Sequence, residues 1–323
     1  MDDVVVEVLH TAQDAEKALR RDARTGLTSS PKWLPPKWFY DARGSQLFED
    51  ITRLEDYYPT RAEREILHRH APDIAARTGA HTLVELGSGS SEKTRLLLDA
   101  LRSGGTLRQL VPLDVSESAL REAVAAISGD YPGIRIHGIV GDFTEHLGRT
   151  PGEQPRLVAF LGGTIGNLFP DERATFFGEV REVLAPGEWL LLGTDLVKDP
   201  DVLVRAYDDR EGVTAEFNRN VLSVLNRELG ADFPLEDFDH RALWDGRHEW
   251  VEMRLRARRP LTVTVEDLDL HLRLERGEEI RTEISAKFRR EGVEAELTAA
   301  GFEMAQWWTD DHQRFALSLA QAV

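Results

Sequence analysis

Apolar positions follow two different rhythms along this chain. Between about residues 81 and 192, apolar runs of strand length recur at His81–Leu86, Leu110–Val115, Ile134–Val140, Leu157–Leu161 and Trp189–Leu192. Helical stretches such as 117–127 and 171–184 separate most of them. Strands alternating with helices predict a parallel sheet with crossover helices, an α/β layout of the nucleotide-binding kind. After Leu192 the rhythm breaks. A helix over about 211–229 carries Val213, Phe217, Val221, Val224 and Leu225 on one stripe. Trp250–Ala257, Leu261–Leu274 and Ile280–Phe288 then read as antiparallel strands, several with period two. A last helix, about 290–300, ends at Gly301 as a C-cap, and strands at 303–308 and 314–320 flank a polar turn. The chain is therefore expected to leave its sheet near 197 and return near 286, with an α+β insertion between.

Upstream, a helix over 12–26 ends at Ser30–Tyr40, because adjacent Pro35 and Pro36 cannot sit inside a helix. The two Trp, one Phe and one Tyr of that stretch predict a packed segment. A helix at 44–54 places Leu47, Phe48, Ile51 and Leu54 on one face. Thr60-x-x-Glu63 reads as a capping box that opens the next helix.

Composition narrows the chemistry. The 323 residues include no Cys, and 40 Lys and Arg stand against 57 Asp and Glu, a net charge of −17. Disulfides, thiolate metal centres and a Cys nucleophile are excluded, and no metal is expected. An acidic surface repels phosphate, so nucleic acid is not an expected partner. No run of about 18 apolar residues is present to span a membrane. The start, Met-Asp-Asp-Val-Val-Val, lacks the features of a signal peptide, so a cytoplasmic protein is expected.

The strongest local motif is Leu83-Val84-Glu85-Leu86-Gly87-Ser88-Gly89-Ser90-Ser91, a strand running into a glycine turn and a helix. Such turns let backbone approach a ligand at a helix N-terminus. A dinucleotide loop needs a third glycine where Glu92 stands. An S-adenosylmethionine loop reads acidic-x-Gly-x-Gly, which Glu85–Gly89 fits, with Ser91 where a third glycine is common. A purely structural turn is the remaining alternative. Asp114 ends the next strand and could accept ribose hydroxyls, while Asp142 and Phe143 follow the third and could hold adenine. Lys93 could reach the donor's carboxylate. After the fourth strand, Leu161-Gly-Gly-Thr-Ile-Gly-Asn-Leu-Phe169 is a loose echo of the Asn-Pro-Pro-Tyr segment of amine methyltransferases, with Asn167 in the place of its Asn.

Long segments carry a closer resemblance. They include Leu34-Pro-Pro-Lys-Trp-Phe-Tyr-Asp41, Ile51-Thr-Arg-Leu-Glu-Asp-Tyr-Tyr-Pro-Thr-Arg61, Thr164-Ile-Gly-Asn-Leu168, Leu191-Leu-Gly-Thr-Asp-Leu-Val-Lys198, Arg205-Ala-Tyr-Asp-Asp209 and Trp307-Trp-Thr-Asp310. From about residue 18 onward, the chain resembles the bacterial L-histidine Nα-methyltransferases of the ergothioneine pathway. The resemblance implies a class I, Rossmann-like methyltransferase domain, 61–196 plus 286–323. It also implies an α+β substrate-recognition domain, 1–60 plus 197–285. Gly87, Lys93, Asp114, Asp142 and Phe143 would contact S-adenosyl-L-methionine, with S-adenosyl-L-homocysteine as product. Tyr57, Asn167, Tyr207, Glu283 and Ser285 would hold histidine, with Met253 and Tyr40 nearby. Asn167 and Tyr40 are the candidates for a catalytic role. The expected partners are histidine and its mono- and dimethylated forms, acted on by a monomer. Methylation of another small amine, a donor-binding module without turnover, and a nicotinamide oxidoreductase are the competing functions.

Overall fold

The alternating region folds as its rhythm predicts. A computed structural model describes residues 4–89 and 91–323. In chain order its elements are β1 (Val4–Val8), α1 (Ala12–Thr28), β2 (Lys32–Trp33), α2 (Ala42–Arg53), α3 (Pro59–Thr78), β3 (Thr82–Leu86), α4 (Thr94–Ser103), β4 (Gln109–Asp114), α5 (Glu117–Asp130), β5 (Arg135–Val140), α6 (Phe143–His146), β6 (Arg156–Phe160) and α7 (Pro170–Val183). They continue with β7 (Trp189–Asp195), α8 (Pro200–Tyr207), α9 (Val213–Leu229), β8 (Phe238–Asp245), β9 (Trp250–Ala257), β10 (Leu261–Val265), β11 (Leu270–Leu274), β12 (Glu279–Ala286), α10 (Arg290–Ala299), β13 (Phe302–Thr309) and β14 (Phe315–Ala322). The chain divides into two units. One takes the chain up to His10, Pro59–Val197 and Lys287–Val323; the other takes Thr11–Tyr58 and Lys198–Ala286.

The first unit is built on a sheet in the order β1-β5-β4-β3-β6-β7-β14-β13. Strands β1 to β7 within it run parallel, and β14 and β13 add on antiparallel. Every position of β3 is buried, as expected for a central strand covered on both faces. Leu83, Leu97, Leu110, Leu157, Leu191 and Phe315 belong to its core. From β3 the chain steps through β4 to β5 on one side, and β6 and β7 lie on the other. The direction of winding therefore reverses beside β3, and open α/β sheets bind ligands at the strand carboxyl ends there. This is a Rossmann-like sheet.

Two expectations need correction. The assignment of residues 1–60 to the recognition domain fails at its start. Val4–Val8 pairs in parallel with β5, Val4 opposite Ile136 and Val8 opposite Val140, and so belongs to the sheet unit. The Thr60 capping box also fails. Helix α3 begins at Pro59, a residue suited to a first turn because it lacks an N–H, and the Glu63 side chain goes elsewhere.

The second unit carries a four-stranded sheet in the order β2-β12-β9-β8 and the hairpin β10–β11. The single run read at 261–274 is this hairpin, with Leu261 opposite Leu274 and a left-handed Asp269 (φ 46°) at the turn. The α9 stripe of Phe217, Val221, Val224 and Leu225 joins Phe39, Leu47, Ile51 and Leu255 in a separate core. In β12 the register shifts between Arg281 and Glu283, after which Glu283 sits opposite Met253 and Ser285 opposite Val251.

Candidate active site

The glycine turn after β3 is bent by three residues in left-handed backbone: Gly87 (φ 65°), Gly89 (φ 47°) and Ser91 (φ 52°). Ser91 takes the conformation that a third glycine would supply freely. Its hydroxyl donates to Glu85 Oε2 at 2.8 Å, and the Thr94 hydroxyl at the start of α4 donates to Glu85 Oε1. The acidic residue of the motif thus staples turn and helix back onto β3. Burial pushes the Glu85 carboxyl up to about 7, against the pull of the Thr94 and Ser91 hydroxyls.

Asp114, at the end of β4, closes the other side. Its Oδ2 accepts the Gly89 N–H and its Oδ1 the Ser116 N–H, each at 2.8 Å. Burial raises its pKa, and these backbone donors pull the other way. Each oxygen keeps further lone-pair capacity, so the carboxylate can still accept hydroxyls. Two observations leave this turn open to a ligand. A Cβ added at Gly87 or Gly89 would meet nothing within 4 Å. The buried Ser88 hydroxyl has no hydrogen-bond partner among the described residues.

Beyond β5, Asp142 caps α6 by accepting the Thr144 N–H at 3.0 Å and the Thr144 hydroxyl at 2.7 Å. The half-buried Phe143 ring is held edge-on by Phe160 at 5.0 Å and Phe176 at 5.7 Å. Lys93 stands at the N-cap of α4 rather than inside it, and its ammonium pairs with Glu63. After β6, Gly162 (φ 77°) and Gly163 (φ 72°) turn the chain into a 3-10 segment, Thr164–Asn167. Gly87, Lys93, Asp114, Asp142, Phe143 and Asn167 all belong to the sheet unit and lie at or after the carboxyl ends of its central strands.

The remaining predicted residues lie in the second unit and form one connected cluster there. Tyr40 meets Phe48 edge-on at 5.6 Å, Phe48 meets Tyr57 at 6.2 Å, and Tyr57 meets Tyr207 at 6.3 Å. The Tyr207 hydroxyl lies 2.7 Å from that of Ser285. Glu283 is two residues away on the same strand, and Met253 pairs with it across the sheet. Tyr57, Tyr207, Met253 and Ser285 are buried, while Tyr40 and Glu283 are partly open.

Behind this cluster is a polar chain that the sequence did not reveal. The Thr282 hydroxyl, at the β12 irregularity, donates to Asn218 Oδ1 at 2.6 Å. Asn218 Nδ2 reaches His240 Nδ1 at 2.8 Å, and His240 Nε2 reaches the Tyr207 carbonyl at 2.7 Å. The amide can only donate to Nδ1, so the ring is neutral with its proton on Nε2, facing the carbonyl. Burial holds the imidazole below its usual pKa, which agrees. The chain fixes both the bulged strand and the backbone of Tyr207.

The model of the family described as "Histidine-specific methyltransferase, SAM-dependent" matches residues 19–322. The chain belongs to this family. It is 58% identical over 309 residues to "Histidine N-alpha-methyltransferase" of Mycolicibacterium smegmatis, covering 96% of each chain. It is 55% identical over 312 residues to the protein of that name in Mycobacterium tuberculosis, covering 96% of this chain and 97% of that one. "Ergothioneine biosynthesis protein 1" of Neurospora crassa is 32% identical over 306 residues, 90% of this chain but 34% of that longer protein. As a family member it is a methyltransferase that uses S-adenosylmethionine. Among the described residues, no group of three or more His, Asp or Glu is placed to hold a metal ion, and no helix is long and apolar enough to cross a membrane.

Proposed function

We propose that this chain trimethylates the α-amino group of L-histidine to give histidine betaine (hercynine), the first step of ergothioneine biosynthesis. The observation that carries the reading is the 58% identity to the Mycolicibacterium smegmatis enzyme across 96% of both chains. S-adenosylmethionine supplies a methyl carbon already activated by its sulfonium and leaves as S-adenosylhomocysteine. Gly87, Lys93, Asp114, Asp142 and Phe143 bind this donor.

Histidine offers a carboxylate, an amine and an imidazole. Tyr57 and Tyr207 bring neutral hydroxyls that can bind a carboxylate or a ring nitrogen. Glu283 and Ser285 suit the imidazole N–H, and Met253 supplies an apolar wall. The nucleophile must be the neutral amine, whose pKa is roughly 8 in peptides and higher in a free amino acid such as histidine. Asn167 can accept an amine N–H without the full charge that would hold the ammonium protonated. Tyr40 assists proton loss to water. Holding the amine in line with the methyl carbon contributes up to roughly 7–11 kcal/mol of barrier lowering. The substrates are histidine and its mono- and dimethylated forms, and the enzyme works as a cytoplasmic monomer.

Incubation of the purified chain with histidine and S-adenosylmethionine tests the reading. Mass spectrometry should show the gain of three methyl groups on histidine. No methylation of histidine, with methylation of another amine in a substrate panel, would overturn it.

A further inference from the structure

The sheet unit buries a carboxylate to which the methyl transfer described above gives no work. Glu63, on the second turn of α3, is fully shielded from solvent. It accepts the Gly162 N–H, with its two oxygens at 2.8 and 3.0 Å, and pairs with the Lys93 ammonium. A Cβ at Gly193 in β7 would collide with Glu63 Oε1, so the strand leaves room for this group. Burying a charged pair is costly, and apolar side chains of similar volume are often at least as stabilising in such a place. Stability alone therefore does not account for a carboxylate at this position.

Its two partners lead in different directions. Lys93 opens α4 behind the glycine turn of the donor. Gly162 opens the left-handed pair Gly162–Gly163, from which the 3-10 segment runs directly to Asn167. We infer that Glu63 is a positioning residue that joins the two: it fixes the Lys93 ammonium for the carboxylate of the methyl donor and fixes the Gly162 turn that places Asn167. The inference rests on the reading of Lys93 as a donor contact. Lys93 is a flexible four-carbon stem with a point charge, and a buried counter-ion gives its ammonium one place instead of many. The bond to the Gly162 N–H does the same for a turn that needs left-handed backbone at consecutive residues.

Calorimetric titration with S-adenosylhomocysteine tests this without turnover. Glu63→Gln, Lys93→Gln and the double variant are compared with the parent, each checked by thermal melting. Each single variant should weaken binding about tenfold, and the double variant should bind no worse than either, because both remove one device. Glu63→Gln should also raise the KM for histidine several-fold, and by more than Lys93→Gln does. Gly193→Ala, which pushes on the same carboxylate from β7, should reproduce the Glu63→Gln pattern if that variant folds poorly. Additive losses, or a Glu63→Gln protein that melts lower but binds S-adenosylhomocysteine normally, would overturn the inference. Normal binding by Lys93→Gln would overturn the donor-contact reading and this inference with it. Trimethylation of histidine by the parent is scored separately.

Discussion

The Tyr207 and Ser285 hydroxyls lie 2.7 Å apart and tie the end of α8 to β12 within the inserted unit. If this pair serves histidine, Tyr207→Phe and Ser285→Ala should each weaken histidine binding by about 1–3 kcal/mol, the cost of unmaking a buried hydrogen bond. Their effects should be less than additive. Glu283→Ala should weaken histidine binding as well. All three variants should titrate S-adenosylhomocysteine like the parent. Equal loss of both ligands would mark the affected residue as structural.

His240 gives the inserted unit a pH dependence. Its folded pKa lies below the ordinary value of 6.5, with burial as the leading cause. The unfolded state therefore binds the proton more readily, and stability is present above about pH 6.5 and lost as the pH falls below it. His240→Gln should flatten this slope in urea unfolding measured between pH 5 and 8. It should also raise the KM for histidine, since the ring holds the Tyr207 carbonyl.

Glu85 acts in the opposite sense. Its folded pKa of about 7 stands above the ordinary 4.5. Its contribution is fully present below pH 4.5 and is lost as the pH rises to about 7, a span worth a few kcal/mol. In the same unfolding series, Glu85→Gln should lack that loss. A parallel decline in parent and variant would show that the carboxyl does not titrate in this range.

Ser91 combines a left-handed backbone with a hydrogen bond to Glu85. Ser91→Gly should relieve the first while losing the second. Ser91→Ala loses the bond and keeps the strain, so it should be less stable than Ser91→Gly by about 1 kcal/mol. Thermal melts of the two variants decide the order.

Much of this was legible in the sequence because the relevant signals are local. The glycine turn, Asp114, and the strand ends bearing Asp142 and Asn167 each follow an apolar run whose strand character was plain. The points of departure and return near 197 and 286 showed as a change of rhythm. Other features depend on distant partners. Strand β1 is a short Val-rich run that acquires an assignment only by pairing with β5. Strand β8, Phe-Asp-His-Arg-Ala-Leu-Trp-Asp, mixes charged and apolar residues too closely for a clear pattern. Glu63 carries a spacing that mimics a helix cap, yet its partners are Lys93 and Gly162. The chain Thr282–Asn218–His240–Tyr207 joins residues from four segments, and of these only Tyr207 lies in a segment that the sequence marks out.

Gly193 carries an evolutionary implication. A strand interior ordinarily tolerates Ala or Ser, but here the limit is set by the end of a side chain on α3. Positions 63 and 193, far apart in sequence, therefore form one steric unit and should change together. A relative with a side chain at 193 should carry something shorter than Glu at 63, and with it a different means of holding the lysine.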